Sequence, residues 1–260
     1  MKPLHYKRFF LPLFVAAVYS FLYVPMLIML IFSFNKATLG YAWQGFTLDW
    51  YKQLLQSIEI WTVFKNSLIV ATAAVALSLT LGVALIWGLN RRHQHILSLF
   101  YATIMIPEIV ISVGLLTVFV FFQVPLGLVT LIAGHTLLGL GFVIPIVHIR
   151  FNELDRRLIE ASLDLGASMG QTFFKVVLPF LLPALIASGL LVFIISLDDF
   201  LISFFCSSAT SQTLSLYIYS TIRAGVSPVI NALSAVMLFS SSILVLIFLS
   251  LSSRLTQENS

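Results

Sequence analysis

Six stretches of this chain, near 12–34, 66–89, 97–122, 127–149, 180–206 and 231–252, are apolar almost throughout. A hydrocarbon layer about 30 Å thick is crossed by about 20 such residues in helix. The stretches are too long for barrel strands, and helix is the spanning form that satisfies their backbone polar groups internally. Composition leaves no soluble alternative: 60% of the 260 residues are hydrophobic and 9% are charged, against roughly 25% charged in a soluble domain. The sequence therefore predicts an all-α integral membrane protein with six transmembrane helices. The first stretch, from about Phe9 to Phe34, exceeds a signal-peptide core and lacks a small-residue cleavage site, so it is expected as a retained span. Cys206 is the sole cysteine, which excludes an intrachain disulfide.

The basic residues give the direction. With the N-terminus inside, the inner segments hold Lys2, Lys7, Arg8, Arg91, Arg92, Arg150, Arg156, Arg157, Lys175 and Arg254. The outer segments hold Lys36, Lys52, Lys65 and Arg223, so the bias is ten against four. Positive residues favour the cytoplasmic side, so both termini are expected there. The same placement in short loops argues against nucleic acid as the reason for the basic balance. Outside lie residues 35–65, with a helix start at TLDWYKQLLQ capped by Thr47 or Asp49, and residues 207–230.

Inside lies RFNELDRRLIEASLDLGASMGQTFFKVVLP, residues 150–179. Leu154, Leu158, Ala161 and Leu165 form one apolar helical stripe, with Arg157, Glu160 and Asp164 on the polar side. Gly166 follows the last stripe residue, where helices commonly end in a left-handed residue. Ser168 and Gln171 fit a capping box for a second short helix. On periodicity alone, an amphipathic loop lying on the membrane serves equally well.

The string Glu160-Ala161-Ser162, three residues, Gly166, nine residues, Val176, one residue, then Leu178-Pro179 resembles the EAA loop of MetI-like ABC-importer permeases, E-A-A-x3-G-x9-I-x-L-P. Serine and valine are its two departures from that pattern. The resemblance implies a coupling helix that docks on a cytoplasmic ATPase, with Arg157, Glu160, Ala161, Ser162, Asp164, Gly166 and Pro179 as its residues. It also implies residues 1–59 as tail, first span and periplasmic loop, 60–252 as the permease core, and 253–260 as a cytoplasmic tail.

No lysine follows a glycine anywhere, so the phosphate-binding G-x-x-x-x-G-K-[ST] motif is absent. His135 and His148 are thirteen residues apart on one span, about 20 Å, too far to share a metal. Neighbouring Asp198 and Asp199 are about 100° apart around one helix, so they cannot form an aspartyl dyad together. Glu108 could supply a second wall. The chain is expected to be no enzyme and to carry no cofactor; ATP and magnesium belong to the partner ATPase that the resemblance implies.

Glu108, Asp198 and Asp199 fall inside apolar spans, and such acids are candidates for function by default. No lysine or arginine lies well inside a span to neutralise them, which a cationic solute would explain. Aromatics such as Tyr19, Tyr23, Trp87 and Phe200 could add cation–π attraction. Structural alternatives stand beside these roles. Asp199 could cap a break at Leu197–Phe200, Glu108 could bond a neighbouring helix, Tyr19 and Tyr23 could simply pack, and His135 could be a satisfied interhelical group.

SLDDFLISFF, VSPVINALSAVML, LYVPMLIMLIFSFN and WQGFTLDWY resemble the C-type permease subunits of spermidine/putrescine ABC importers. The departure is Val229, where that family leads one to expect glutamate. The resemblance implies a bacterial inner-membrane permease for polyamines. Its partners would be a B-type permease subunit, two ATPase subunits, a periplasmic binding protein and the lipid bilayer, with no nucleic acid. Another small solute (an aminophosphonate, opine, thiamine or ferric ion) is the alternative; an intramembrane enzyme or passive channel is remote.

Overall fold

The computed structural model describes residues 6–38, 42–89, 96–225 and 227–257. Lys2, Arg91 and Arg92, used above for direction, lie outside these residues, as does Val226. In chain order the helices are α1 (Tyr6–Phe32), α2 (Asp49–Gln56), α3 (Ile58–Gly88), α4 (Leu97–Met105), α5 (Glu108–Phe121) and α6 (Leu128–Asn152). They are followed by α7 (Arg156–Asp164), α8 (Met169–Thr172), a π-helical turn (Phe173–Val177), α9 (Leu178–Asp198), α10 (Leu201–Cys206), α11 (Leu214–Ala224) and α12 (Pro228–Gln257). Among the described residues there is no strand, only an isolated bridge between Asn35 and Phe46.

Four of the described helices are long and apolar enough to cross a membrane, namely α1, α3, α6 and the run through α9. The third expected span is not one rod. It is α4 and α5, bent by 117° at a short break. The cause is local: Pro107 has no amide hydrogen and pushes Ile106 to extended φ −77°, ψ 130°. The fifth stretch is also divided, since α9 stops at Asp198 and α10 starts at Leu201. With the bent pair taken as one span there are five, and α12 occupies the sixth stretch.

The chain divides into two compact units, Met1–Ile58 with Ile218–Ile243, and Glu59–Tyr217 with Leu244–Ser260. In the first, Asn35 organises the turn after α1. Its Oδ1 accepts the Gln44 amide at 2.9 Å, its Nδ2 donates to the Ala42 carbonyl at 2.9 Å, and its own carbonyl accepts Trp50 Nε1 at 2.7 Å. Leu48, not Thr47 or Asp49, stands at the N-cap of α2 and makes no side-chain cap. Thr47 nevertheless braces the start, accepting from the Asp49 amide and donating to its carboxylate. That hydrogen bond holds the Asp49 carboxyl below its usual range.

The second unit is built around α6, which packs on α9, α4 and α10. Its C-terminal half packs in a cluster that buries Ile86, Leu97, Val143, Ile144, Val147 and Leu181 together. Small residues let the backbones close up, as van der Waals packing between membrane helices requires. A methyl group added at Gly134 would lie 2.6 Å from Ile202, and one at Gly139 would lie 2.9 Å from Val192.

Candidate functional site

The two breaks of the second unit meet. α5 packs on α10, so Glu108 at the start of α5 is brought to the break between α9 and α10. Glu108 is half-buried, and its carboxyl lies within hydrogen-bonding reach of Asp199 and close to Asp198. It also lines a cavity of about 210 Å³ with Thr103, Ile104, Leu138 and Phe142.

The paired aspartates have opposite fates. Asp198, the last residue of α9, is exposed, and among the described residues its carboxylate makes no hydrogen bond or ion pair. Asp199 is 5% exposed and turned inward. Its backbone is extended at φ −61°, ψ 127°, and its two carboxylate oxygens accept the amides of Ile202 at 3.3 Å and Ser203 at 2.9 Å. These are amides of the first turn of α10, which have no carbonyl of their own to meet. The Ser215 hydroxyl donates to the Asp199 carbonyl. Asp199, one residue before the N-cap Phe200, thus satisfies free amides of a half-helix, one of the two roles open from sequence.

α6 approaches this half-helix at both ends, by a hydrogen bond at one end and, at the other, by a His135 Nε2 that makes no hydrogen bond. His135, fully buried, places Nε2 3.4 Å from Asp199 Oδ2 and Nδ1 2.7 Å from Ser196 Oγ. Five residues earlier, Thr130 Oγ1 donates to the Cys206 carbonyl at 2.8 Å. The spacing fits: five residues of α6 rise about 7.5 Å, and six residues of α10 about 9 Å. Phe200, in the break, packs on Phe204 at 5.5 Å between ring centroids. Among the described residues no lysine or arginine pairs with any of the three acids. Tyr19 lies on α1 in the other unit, exposed and stacked on Tyr23 at 6.1 Å.

The second cluster is the loop 150–179. Asp155 caps α7 by accepting the Arg157 amide at 3.0 Å, and Gly166 has the left-handed φ of +83°. Ser168 and Gln171 form the reciprocal capping box. Ser162 is half-buried and bonds Thr172 at 3.0 Å, bracing α7 against α8. Arg157, Glu160, Ala161, Asp164 and Pro179 are exposed. Of the apolar stripe only Leu154 is buried in this chain; Leu158 is 53% exposed and Leu165 89%. Such a face is left for something else to cover.

Residues 79–258 match the family described as the binding-protein-dependent transport system inner membrane component. The chain belongs to this family. It is a transport permease, a membrane component rather than an enzyme. It is 34% identical over 237 residues to the spermidine/putrescine transport system permease protein PotC of Escherichia coli K12, covering 90% of each chain. It is 35% identical over 258 residues to PotC of Haemophilus influenzae, covering 97% of this permease and 99% of that one. The putrescine transport system permease protein PotI of Escherichia coli K12 is 34% identical over 231 residues, covering 85% of this chain and 82% of PotI. Among solved structures, a bacterial ABC transporter involved in import of the acidic polysaccharide alginate matches with TM-score 0.74 at 15% identity, over 96% of this chain and 99% of that one. The MetNI methionine transporter matches with TM-score 0.57 at 19% identity, over 78% and 98%. At those identities the structures share the MetI-like fold of this permease, and the likeness extends no further.

Ser196 and Thr130 were not among the sequence candidates of this permease. Nothing in a run of apolar residues marks which serine will face a histidine on another helix. The split between Asp198 and Asp199 had a signal, because neighbours about 100° apart around a helix face different walls.

Proposed function

We propose that this chain is the permease subunit of an ATP-driven importer of polyamines such as spermidine and putrescine. The observation that carries this is the set of three carboxylates gathered at two helix breaks, with no lysine or arginine paired to them among the described residues. Acids gathered without a basic side chain in an apolar surrounding are expensive. A polyammonium chain passing through lowers that cost by replacing part of the water around them. In this reading Glu108 and Asp198 meet the ammonium groups directly. Asp199 adds negative field from behind, and Phe200 supplies an aromatic face. The relatives named for spermidine and putrescine transport point the same way.

The proposal extends to the assembly. Residues 150–179 dock on an ATPase subunit: Leu158, Ala161 and Leu165 supply apolar contact, while Arg157, Glu160 and Asp164 meet opposite charges. Gly166 and Pro179 fix the corner and the return into α9. A second, B-type permease subunit completes the pathway, two ATPase subunits hold the nucleotide and magnesium, and a periplasmic binding protein delivers the solute. Both termini are cytoplasmic. ATP binding and hydrolysis bias two states of the loop, and only a difference in contact between those states can drive the cycle.

Val229, half-buried near the start of α12, keeps a second reading in view, a different small amine or cation. The experiment is ATP turnover by the complex with its co-encoded partners in nanodiscs, with the binding protein and either spermidine, putrescine, thiamine or ferric ion. Stimulation by the polyamines supports the proposal. Stimulation by thiamine or iron alone overturns it.

A further inference from the structure

The two ends of the loop 150–179 meet. The Arg150 guanidinium, in the last turn of α6, lies over the ring of Phe180, in the first turn of α9, with Cζ 4.1 Å from the ring centroid. Its Nη1 also pairs with Glu153 at 2.7 Å, but both side chains of that pair reach solvent, and an exposed ion pair holds little. Arg150 Nε is buried and has no hydrogen-bond partner among the described residues. Burying a polar atom without a partner is costly, so what keeps the guanidinium in place is the aromatic face beside it. The next residue repeats the pattern. Trp87 of α3 packs edge-on to Phe151 with ring centroids 6.3 Å apart, and tilted on Phe173 at 5.5 Å. Each of the two residues that enter the loop is thus joined to its returning side. Leu154 and Val177 are buried in one cluster with Ile86 and Leu181.

We propose that Arg150 and Phe180 are positioning residues for coupling: their contact closes the base of the loop, so that a push on α7 turns α6 and α9 as one body. The argument is mechanical. The chain carries α7 and α8 between two spans, α6 before them and α9 after them. A loop fixed to one span and free against the other would slide, and work done on it would not reach the path. The clamp removes that freedom where the two spans leave the loop. The spans it joins are also those that bear on the acid cluster: α6 bonds the end of α10 through Thr130, and α9 ends at Asp198. Arg150 and Phe180 act through the loop and not on the solute. This inference rests on the docking role proposed for the loop and on spermidine as the solute.

The test is the number of ATP molecules hydrolysed per spermidine imported by the complete reconstituted complex. Wild-type uptake and loss of the ATPase subunits from Gly166→Pro come first. Without them the transport or the docking reading falls and takes this inference with it; with them, the following variants test this inference alone. Phe180→Leu keeps apolar bulk and loses the ring face. Arg150→Met keeps a long stem and loses the charge. Each should still co-purify with the ATPase subunits, while ATP consumed per spermidine rises by about fivefold, the weight of one partly buried cation–π contact. Phe180→Tyr keeps the ring and should restore the wild-type ratio. Glu153→Gln removes only the exposed ion pair and should leave the ratio unchanged. The double variant of Arg150→Met and Phe180→Leu should be no worse than either alone, because both remove the same contact. An unchanged ratio in Phe180→Leu and Arg150→Met overturns the proposal. So does a rise that tyrosine does not repair, or one that Glu153→Gln reproduces. Loss of the ATPase subunits from both single variants also overturns it, by making the contact a packing element of the docking surface.

Discussion

The Thr130 hydroxyl donates to the Cys206 carbonyl at 2.8 Å, across 76 residues of sequence and between α6 and the end of α10. Both groups are buried within the packed helices. Thr130→Val keeps the shape and removes the donor. The stranded carbonyl should cost about 1–3 kcal/mol. The permease should still insert, with a lower melting temperature by scanning fluorimetry; an unchanged melt would show that α10 does not need this anchor.

The two aspartates should respond differently to the same change. Asp199→Asn keeps one acceptor where two amides of α10 need one each, so thermal stability and assembly should suffer first. Asp198→Asn removes a charge from an exposed group with no hydrogen bond among the described residues. Its stability should stay within about 0.5 kcal/mol of wild type, while the apparent affinity for spermidine weakens. Paired melting curves and uptake titrations of the two variants separate these effects.

Gly166 has φ +83°, and its amide donates to the Leu163 carbonyl at 2.9 Å. Proline fixes φ near −65° and has no amide hydrogen. Gly166→Pro should therefore disturb the corner after α7, abolish co-purification of the ATPase subunits and leave membrane insertion intact. A complex that still forms and transports would remove the docking role from this loop.

Overpacking at α6 offers a further check. Gly134→Ala puts a methyl 2.6 Å from Ile202, and such crowding commonly costs about 1–3 kcal/mol. Since Ile202 belongs to the half-helix whose free amides Asp199 satisfies, this variant should lower both the melting temperature and the rate of spermidine uptake. Loss of stability alone would show that the cluster tolerates displacement of α10.

The all-helical membrane fold was legible because hydrophobic length leaves one solution for a backbone in lipid. The corner at Gly166 and the capping box at Ser168 were legible because their signals are local. The 117° bend between α4 and α5 was not, although Pro107 marked its place. A proline tells where a helix loses a hydrogen bond, while the angle depends on what packs around it. The gathering of Glu108, Asp199, His135 and Ser196 depends on α5, α6, α9 and α10 meeting, and single-chain periodicity does not encode that. The exposed stripe of Leu158 and Leu165 was legible as a stripe, but which side it faced was not.

The central claim is that a cationic solute meets Glu108 and Asp198, which pair with no lysine or arginine among the described residues. Spermidine uptake by reconstituted complexes carrying Glu108→Gln, Asp198→Asn or both tests it most directly. Each single change should raise the apparent KM by about tenfold, the value of one charged hydrogen bond, and the double variant should lose uptake at concentrations that saturate the wild type. A double variant that assembles and imports spermidine with wild-type KM would contradict the account.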